Sequence, residues 1–106
     1  MSDELRNRVL AIGMAWGPTG GLTRAQRVAA ETGLDEAAAQ ALLDDVLPAR
    51  NLGVNYVYSR SPVAGAKAVF QPKADVAAAV RAEYPWVDDA NLDKIYNDAC
   101  YETWHG

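Results

Sequence analysis

The prediction of the fold class depends on one stretch of the sequence, Val54-Asn55-Tyr56-Val57-Tyr58-Ser59. It is rich in the β-branched and aromatic residues that strands prefer, and the apolar period changes here from 3.6 residues to two. The loop 60–65 that follows contains Pro62 and Gly65, which are typical turn residues. Residues 67–71 then read as a second strand, which Pro72 ends. We therefore expect a β-hairpin over residues 54–71.

Three helices are predicted before this hairpin. Apolar residues at Leu5, Val9, Ile12 and Trp16 recur at helical spacing, so residues 3–16 form the first helix, capped by Ser2 or Asp3. The second helix opens at a capping box of Thr23 and Gln26 and ends at Gly33. The third helix is capped by Asp35 and ends near residues 51–53.

Two helices are predicted after the hairpin. Residues 73–83 form the fourth, and Asp88 caps a fifth that runs to Trp104 with Leu92, Ile95 and Ala99 on one stripe. The sequence thus predicts an α+β fold in one domain, residues 1–106, with a core of 3–72 and a helical extension of 73–106.

The segment Gln26-Arg27-Val28-Ala29-Ala30-Glu31-Thr32-Gly33-Leu34 places a small residue, Ala29, four positions before a turn glycine. Apolar Ala39 and Leu42 follow, and the expected hairpin comes after the third helix. In this order the chain resembles the winged helix-turn-helix superfamily over residues 5–72. The resemblance implies duplex DNA binding, with the third helix in the major groove and the wing on the DNA backbone. It also implies a homodimer through residues 88–104.

The charges along the chain give this expectation its contact residues. Segment 50–74 carries four basic residues and no acidic residue, which favours contacts with phosphates. The sequence therefore predicts a small DNA-binding transcriptional regulator, in which Gln40 and Glu36 face the bases. The expected DNA contacts are Arg24, Arg27, Gln40, Arg50, Arg60, Lys67 and Lys73. The alternative for the basic residues of the predicted β-hairpin is that they protect the edges of its strands from pairing with other strands.

The third helix supports a different partner. Segment 35–49 carries four acids and no base, and carboxylates on its outward side would repel phosphates. The alternative is therefore an adaptor, or a phage-encoded modulator of a host factor, that binds protein through this helix. Its expected face is Glu36, Ala37, Gln40, Ala41 and Asp44. A further version is that this face imitates DNA towards a nucleic-acid-binding protein.

Composition excludes several classes of function. One cysteine, Cys100, and one histidine, His105, exclude a disulfide framework and a metal cluster, so we expect no cofactor. No apolar run reaches the ~18 residues of a membrane span, and the N-terminus lacks a signal segment, so we expect a soluble, cytoplasmic protein. The Ala and Arg bias is typical of a GC-rich genome, such as that of an actinobacterium or one of its phages.

Catalytic interpretations are weaker than structural ones. The loop 17–23 has glycines but lacks the lysine of a phosphate loop and follows a helix. Asp98, Cys100, Glu102 and His105 lie at a chain terminus that holds no fixed nucleophile geometry. We therefore expect no enzyme. Tyr56, Tyr58 and Phe70 can stack on bases only if they are exposed, and the alternative is that they pack on the helices.

Overall fold

The computed structural model describes residues 2–15, 21–60 and 71–105, with side chains through Thr103, and its regular elements are all helices. Within these ranges 82% of the residues are helical and none lies in a strand, so this part of the chain is all-α. The predicted α+β class is therefore wrong. The helices are α1 (Asp3–Gly13), α2 (Arg24–Thr32), α3 (Glu36–Arg60), α4 (Lys73–Glu83) and α5 (Asp89–His105).

Local capping signals place the helix starts where the sequence predicts them. The N–H of Leu5 donates to the Ser2 hydroxyl at 3.2 Å, so Ser2 is the cap of α1. Thr23 and Gln26 exchange both bonds of a capping box at 3.0 and 3.1 Å. Gly33 follows α2 in the left-handed conformation, with φ of 78°. The predicted capping box and glycine stop are confirmed.

The predicted hairpin fails at its first strand, because residues 54–59 form the last turns of α3. Buried residues at Val46, Ala49, Gly53 and Val57 recur every three or four positions, which is helical spacing. Burial on that stripe overrides the strand preference of single residues. Residues 61–70, which carry the turn and most of the second strand, lie outside the described residues; Gln71 belongs to no regular element. The β-hairpin that was to serve as the wing of a winged helix-turn-helix domain therefore lacks its first strand.

Contacts group the chain into two compact units, Met1–Pro48 and Ala49–Gly106. The division falls inside α3, whereas the sequence prediction separates a core from an extension after residue 72. In the first unit, α1 packs on α2, and the Nη2 of Arg8 donates to the carbonyl of Glu31 at 2.5 Å. The buried apolar residues of this unit are Val9, Leu10, Met14, Ala25, Val28, Ala39, Leu42, Leu43 and Val46.

In the second unit, α4 packs on α5, and the second half of α3 passes close to both. Gly53 makes this approach possible, because a Cβ atom there would overlap the Cγ2 of Ile95. Arg81 ties the loop between α4 and α5 by donating to the Val87 carbonyl at 3.2 Å and to Asp89 at 2.8 Å. The buried apolar residues are Ala49, Val57, Val76, Val80, Val87, Leu92, Ile95 and Ala99.

Candidate functional site

The first turns of α3 carry an exposed surface of acids and small residues. Asp35 caps the helix by accepting from the N–H of Ala38 at 2.7 Å. Beyond this cap, the side of α3 opposite Leu42 and Val46 faces solvent, as the 3.6-residue period requires. The exposed residues that the sequence predicted there, hereafter the acidic face, are Glu36, Ala37, Gln40, Ala41 and Asp44.

Two features shape the acidic face. Gln40 donates from Nε2 to the Oδ1 of Asp44 at 2.9 Å, so an amide one turn away holds that carboxylate. Ala37 and Ala41 have side chains of a single carbon, so another molecule can approach the helix closely between the acids. Asp45, which the predicted face does not include, is also exposed beside it, and Ala38, which the sequence predicts on the inward row with Leu42 and Val46, is exposed as well. The signal for Asp45 was available, since helical geometry places it four residues after Ala41 on the flank of the same stripe, whereas Ala38 shares the row of Leu42 and Val46.

The predicted DNA contacts are distributed over both units, and most of them have partners inside the protein. In the first unit Arg24 is exposed and has no ion pair with any described residue, whereas Arg27 pairs with Glu31 at 3.5 Å. In the second unit Arg60 lies over the Tyr56 ring, 4.0 Å from its centroid, and Lys73 pairs with Asp93. Lys67 lies outside the described residues. These cations therefore form no acid-free strip in the described part of the chain.

Arg50 has the most complete internal pairing of the predicted contacts. Its Nε lies 3.4 Å from the Oδ2 of Asp98 and its Nη2 lies 3.3 Å from the Oε1 of Glu102, both on α5. Its side chain is 25% exposed and that of Asp98 is 12% exposed, so this pair is largely shielded from water. Arg50 follows Ala49 on the buried side of α3, and the two acids are one turn apart. That pattern was the sequence signal for a structural ion pair rather than a DNA contact.

A polar cluster in the second unit involves Tyr96 and Cys100, one turn apart on α5. The Tyr96 hydroxyl donates to the carbonyl of Gln71 at 2.7 Å, and the Nε2 of Gln71 donates to the carbonyl of Arg60 at 3.3 Å. Burial, and then a hydrogen bond with Cys100, raise the pKa of Tyr96 above its ordinary value. Cys100 is half-buried with a free thiol. The cluster ties α5 to the residues that end α3 and precede α4.

The aromatic residues considered for base stacking do not share a face. Residues 56 and 58 are two positions apart in a helix, so they point in directions about 160° apart. Tyr56 is half-buried under Arg60, whereas Tyr58 is 53% exposed. Phe70 lies outside the described residues. The paired face that a strand would have given these two tyrosines is absent in α3.

The remaining predictions for α5 concern its cap and a dimer surface. Asp88 accepts from the N–H of Asn91 at 2.8 Å, which confirms it as the cap of α5. The apolar stripe of α5 is buried within the second unit, and its exposed residues are polar apart from Ala90 and Tyr101. Homodimerisation through residues 88–104 stays a prediction, and in the described part of α5 only Ala90 and Tyr101 would offer exposed non-polar contacts for it. Among the described residues, no three acids, histidines or cysteines are grouped to hold a metal ion.

Comparison with known proteins adds no family to these observations. No protein family, curated protein or solved structure matches the chain. In the described part of the chain, no helix is both long and apolar enough to cross a bilayer.

Proposed function

We propose that the chain is a non-enzymatic binding protein that engages a basic protein surface through the acidic face of α3. The observation that carries the proposal is the exposure of Glu36 and Asp44 in a segment, residues 35–49, that contains four acids and no base. A partner with Lys and Arg opposite these acids would be attracted, and nucleic acid would be repelled.

The chemistry of the face fits a protein partner better than a small ligand. Each exposed ion pair contributes only about 0.2–1 kcal/mol, so the acids supply orientation and association rate more than affinity. The single-carbon side chains of Ala37 and Ala41 allow a partner to bury the helix surface between the acids. A stable interface needs about 800 Å² on each side, so the partner also covers neighbouring parts of the first unit.

DNA binding is the competing proposal, and Arg24 is the observation that favours it. This side chain is exposed at the start of α2 and is unpaired among the described residues. It would have to act without Arg50 and Lys73, which α5 carboxylates already engage. Because Arg24 and the exposed Lys94 supply at most about two phosphate contacts, we expect the protein-binding mode to dominate.

Three variants with the same chemical change test the proposal. Ala37→Arg and Ala41→Arg place a cation on the acidic face. The control, Ala78→Arg, places a cation at an exposed position of α4 instead. Arginine and alanine both favour helix, so all three proteins keep their fold. A Lys/Arg-rich amphipathic helical peptide is titrated into each labelled protein, and amide shifts are followed by NMR. We expect shifts over residues 36–45 in the wild type and in Ala78→Arg, and at least a tenfold weaker affinity in the other two.

Two results would contradict the proposal. Equal peptide affinity in all three variants would show that the acidic face is not the contact surface. Shifts concentrated at Asp93, Asp98 and Glu102 would place binding on α5 instead. The same variants then serve in affinity capture from host lysate, where only a protein lost with both α3 variants and kept with Ala78→Arg counts as a partner. Release of that protein by duplex DNA would identify it as a nucleic-acid-binding protein.

A further inference from the structure

Pro48 occupies an interior position of α3, twelve residues after Glu36 and twelve before Arg60. Proline has no backbone N–H, so the carbonyl of Asp44 lacks the donor that residue 48 would supply in a regular helix. The proline ring also pushes that carbonyl aside, and proline is one of the few recognised causes of sharp bends in helices. The hydrogen-bond ladder of α3 is therefore weakest at its midpoint.

The grouping of contacts gives an independent reason to single out this residue. The boundary between the two compact units falls between Pro48 and Ala49. Leu43 and Leu47 lie against Gly13 in the first unit, whereas Arg50 and Gly53 lie against α5 in the second. Each half of α3 is thus held by its own set of neighbours, and the change of neighbours coincides with the missing hydrogen bond.

We propose that Pro48 is a hinge within α3. Bending here changes the direction of the helix axis while the packing inside each unit is kept, because the change is confined to the backbone around residues 44–48. This inference does not depend on the binding function of the acidic face. It adds a conformational freedom to the helix that carries that face.

Two spin labels on α3 itself test the hinge. Ala37→Cys and Asn55→Cys, in a Cys100→Ala background, put labels at exposed positions on the same side of the helix as Pro48. Eighteen residues separate them, which is five turns and about 27 Å in a straight helix. A bend of about 20°, the threshold of a sharp kink, changes the separation of labels on this outer side by about 3 Å.

The matched control is Pro48→Ala with the same labels, because alanine restores the N–H and keeps the helix. We expect a distance distribution that is clearly broader with Pro48 than with alanine. Distributions of equal width would overturn the proposal. Hydrogen exchange in the unlabelled protein gives a second measurement: amides of residues 49–52 should exchange faster than those of 40–43, and Pro48→Ala should remove the difference. Uniform protection along α3 in the wild type would also overturn it.

Discussion

Gly53 lies where the second half of α3 passes close to α4 and α5. A Cβ atom there would overlap the Cγ2 of Ile95 and stand 3.3 Å from the Cγ2 of Val80, and both neighbours are fully buried β-branched side chains. Alanine is favoured over glycine in a helix by about 1 kcal/mol, but overpacking costs about 1–3 kcal/mol and more when the neighbours are rigid. We therefore expect Gly53→Ala to lower the free energy of unfolding by about 1–2 kcal/mol, as measured by urea denaturation.

Gly13 provides the control for this prediction. A Cβ atom there would meet the Cδ2 atoms of Leu43 and Leu47 at 3.0 and 3.1 Å, which are the ends of flexible side chains. These leucines can move by a few tenths of an ångström, so Gly13→Ala should be neutral or slightly stabilising. Equal losses of stability in the two variants would show that the close approach at Gly53 is not the cause.

The second prediction at the residue scale concerns Tyr96 and pH. Burial, followed by the hydrogen bond with Cys100, raises the pKa of Tyr96 in the folded protein above its ordinary value of 10.0. The folded state is therefore more stable with the neutral phenol. This contribution to the free energy of unfolding is complete below pH 10 and is lost as the pH rises through the pKa that Tyr96 has in the folded protein. The hydrogen bond to the Gln71 carbonyl is lost in the same range, because a phenolate has no proton to donate.

Tyr96→Phe removes the hydroxyl at every pH. At pH 7 we expect a loss of about 1 kcal/mol, the typical value of one hydrogen bond. At alkaline pH the difference from the wild type should shrink, because the wild type has lost the same bond. Urea denaturation at both pH values, with tyrosinate absorbance to follow ionisation, measures this. A difference that stays constant with pH would contradict the prediction.

At the scale of elements, the ion pairs of Arg50 join the second half of α3 to α5. Arg6 and Asp3 lie closer together, at 2.9 Å, but their side chains are 33% and 69% exposed, against 25% and 12% for Arg50 and Asp98. Water screens the exposed pair, whereas removing Arg50 leaves a shielded carboxylate without its cation. Shielding rather than distance should therefore decide which pair contributes more.

A double-mutant cycle on each pair tests this argument. For Arg50→Ala with Asp98→Asn we expect a coupling energy of about 1–2 kcal/mol, and for Arg6→Ala with Asp3→Asn less than about 0.5 kcal/mol. Glu102 stays in place throughout, so the cycle isolates one carboxylate. A larger coupling in the α1 pair would mean that distance dominates and that Arg50 is freer than its position indicates.

The same elements show how far the sequence alone determines the fold. Capping signals act within one helical turn, and they predict helix boundaries correctly at Thr23, Gln26, Gly33 and Asp88. The spacing of apolar residues changes after both Gly33 and Gly53. Of these two glycines only Gly33 has a positive φ, whereas Gly53 is needed because a Cβ atom there would overlap Ile95, which is distant in sequence. Residues 54–59 give a strand-like pattern because a short window of sequence likewise omits distant neighbours. Their helical state depends on the burial of Val57 in the core of the second unit, which no six-residue window contains.

At the scale of the whole molecule, the charges could be counted from the sequence but their pairing could not. The acid-free segment 50–74 indicated a surface for phosphates, but Arg50 and Lys73 meet carboxylates of α5 that come some twenty to fifty residues later in the chain. The acidic face needed no such partner, because α3 alone places its residues on one side. The exposed side of α3 was therefore predictable, and the availability of the cations was not.

The net charge and the internal pairing together set the expected response to DNA. Four phosphate contacts would give a slope of log affinity against log salt of about −3.6, which is a fall of about two log units between about 50 and 200 mM salt. Arg8 donates to the Glu31 carbonyl and Arg60 lies over the Tyr56 ring, so among the described Lys and Arg residues Arg24 and Lys94 have no partner within a protein of net charge −4. We therefore expect weak binding of a mixed-sequence duplex in fluorescence anisotropy, with a slope no steeper than about −2. A fall of two log units would show that DNA displaces the α5 carboxylates from Arg50 and Lys73, or that Lys67 and its neighbours supply the contacts. Asp98→Asn compared with Asp75→Asn, which removes the same charge at an exposed position of α4, separates these outcomes, since only a contact by Arg50 makes Asp98→Asn the tighter binder.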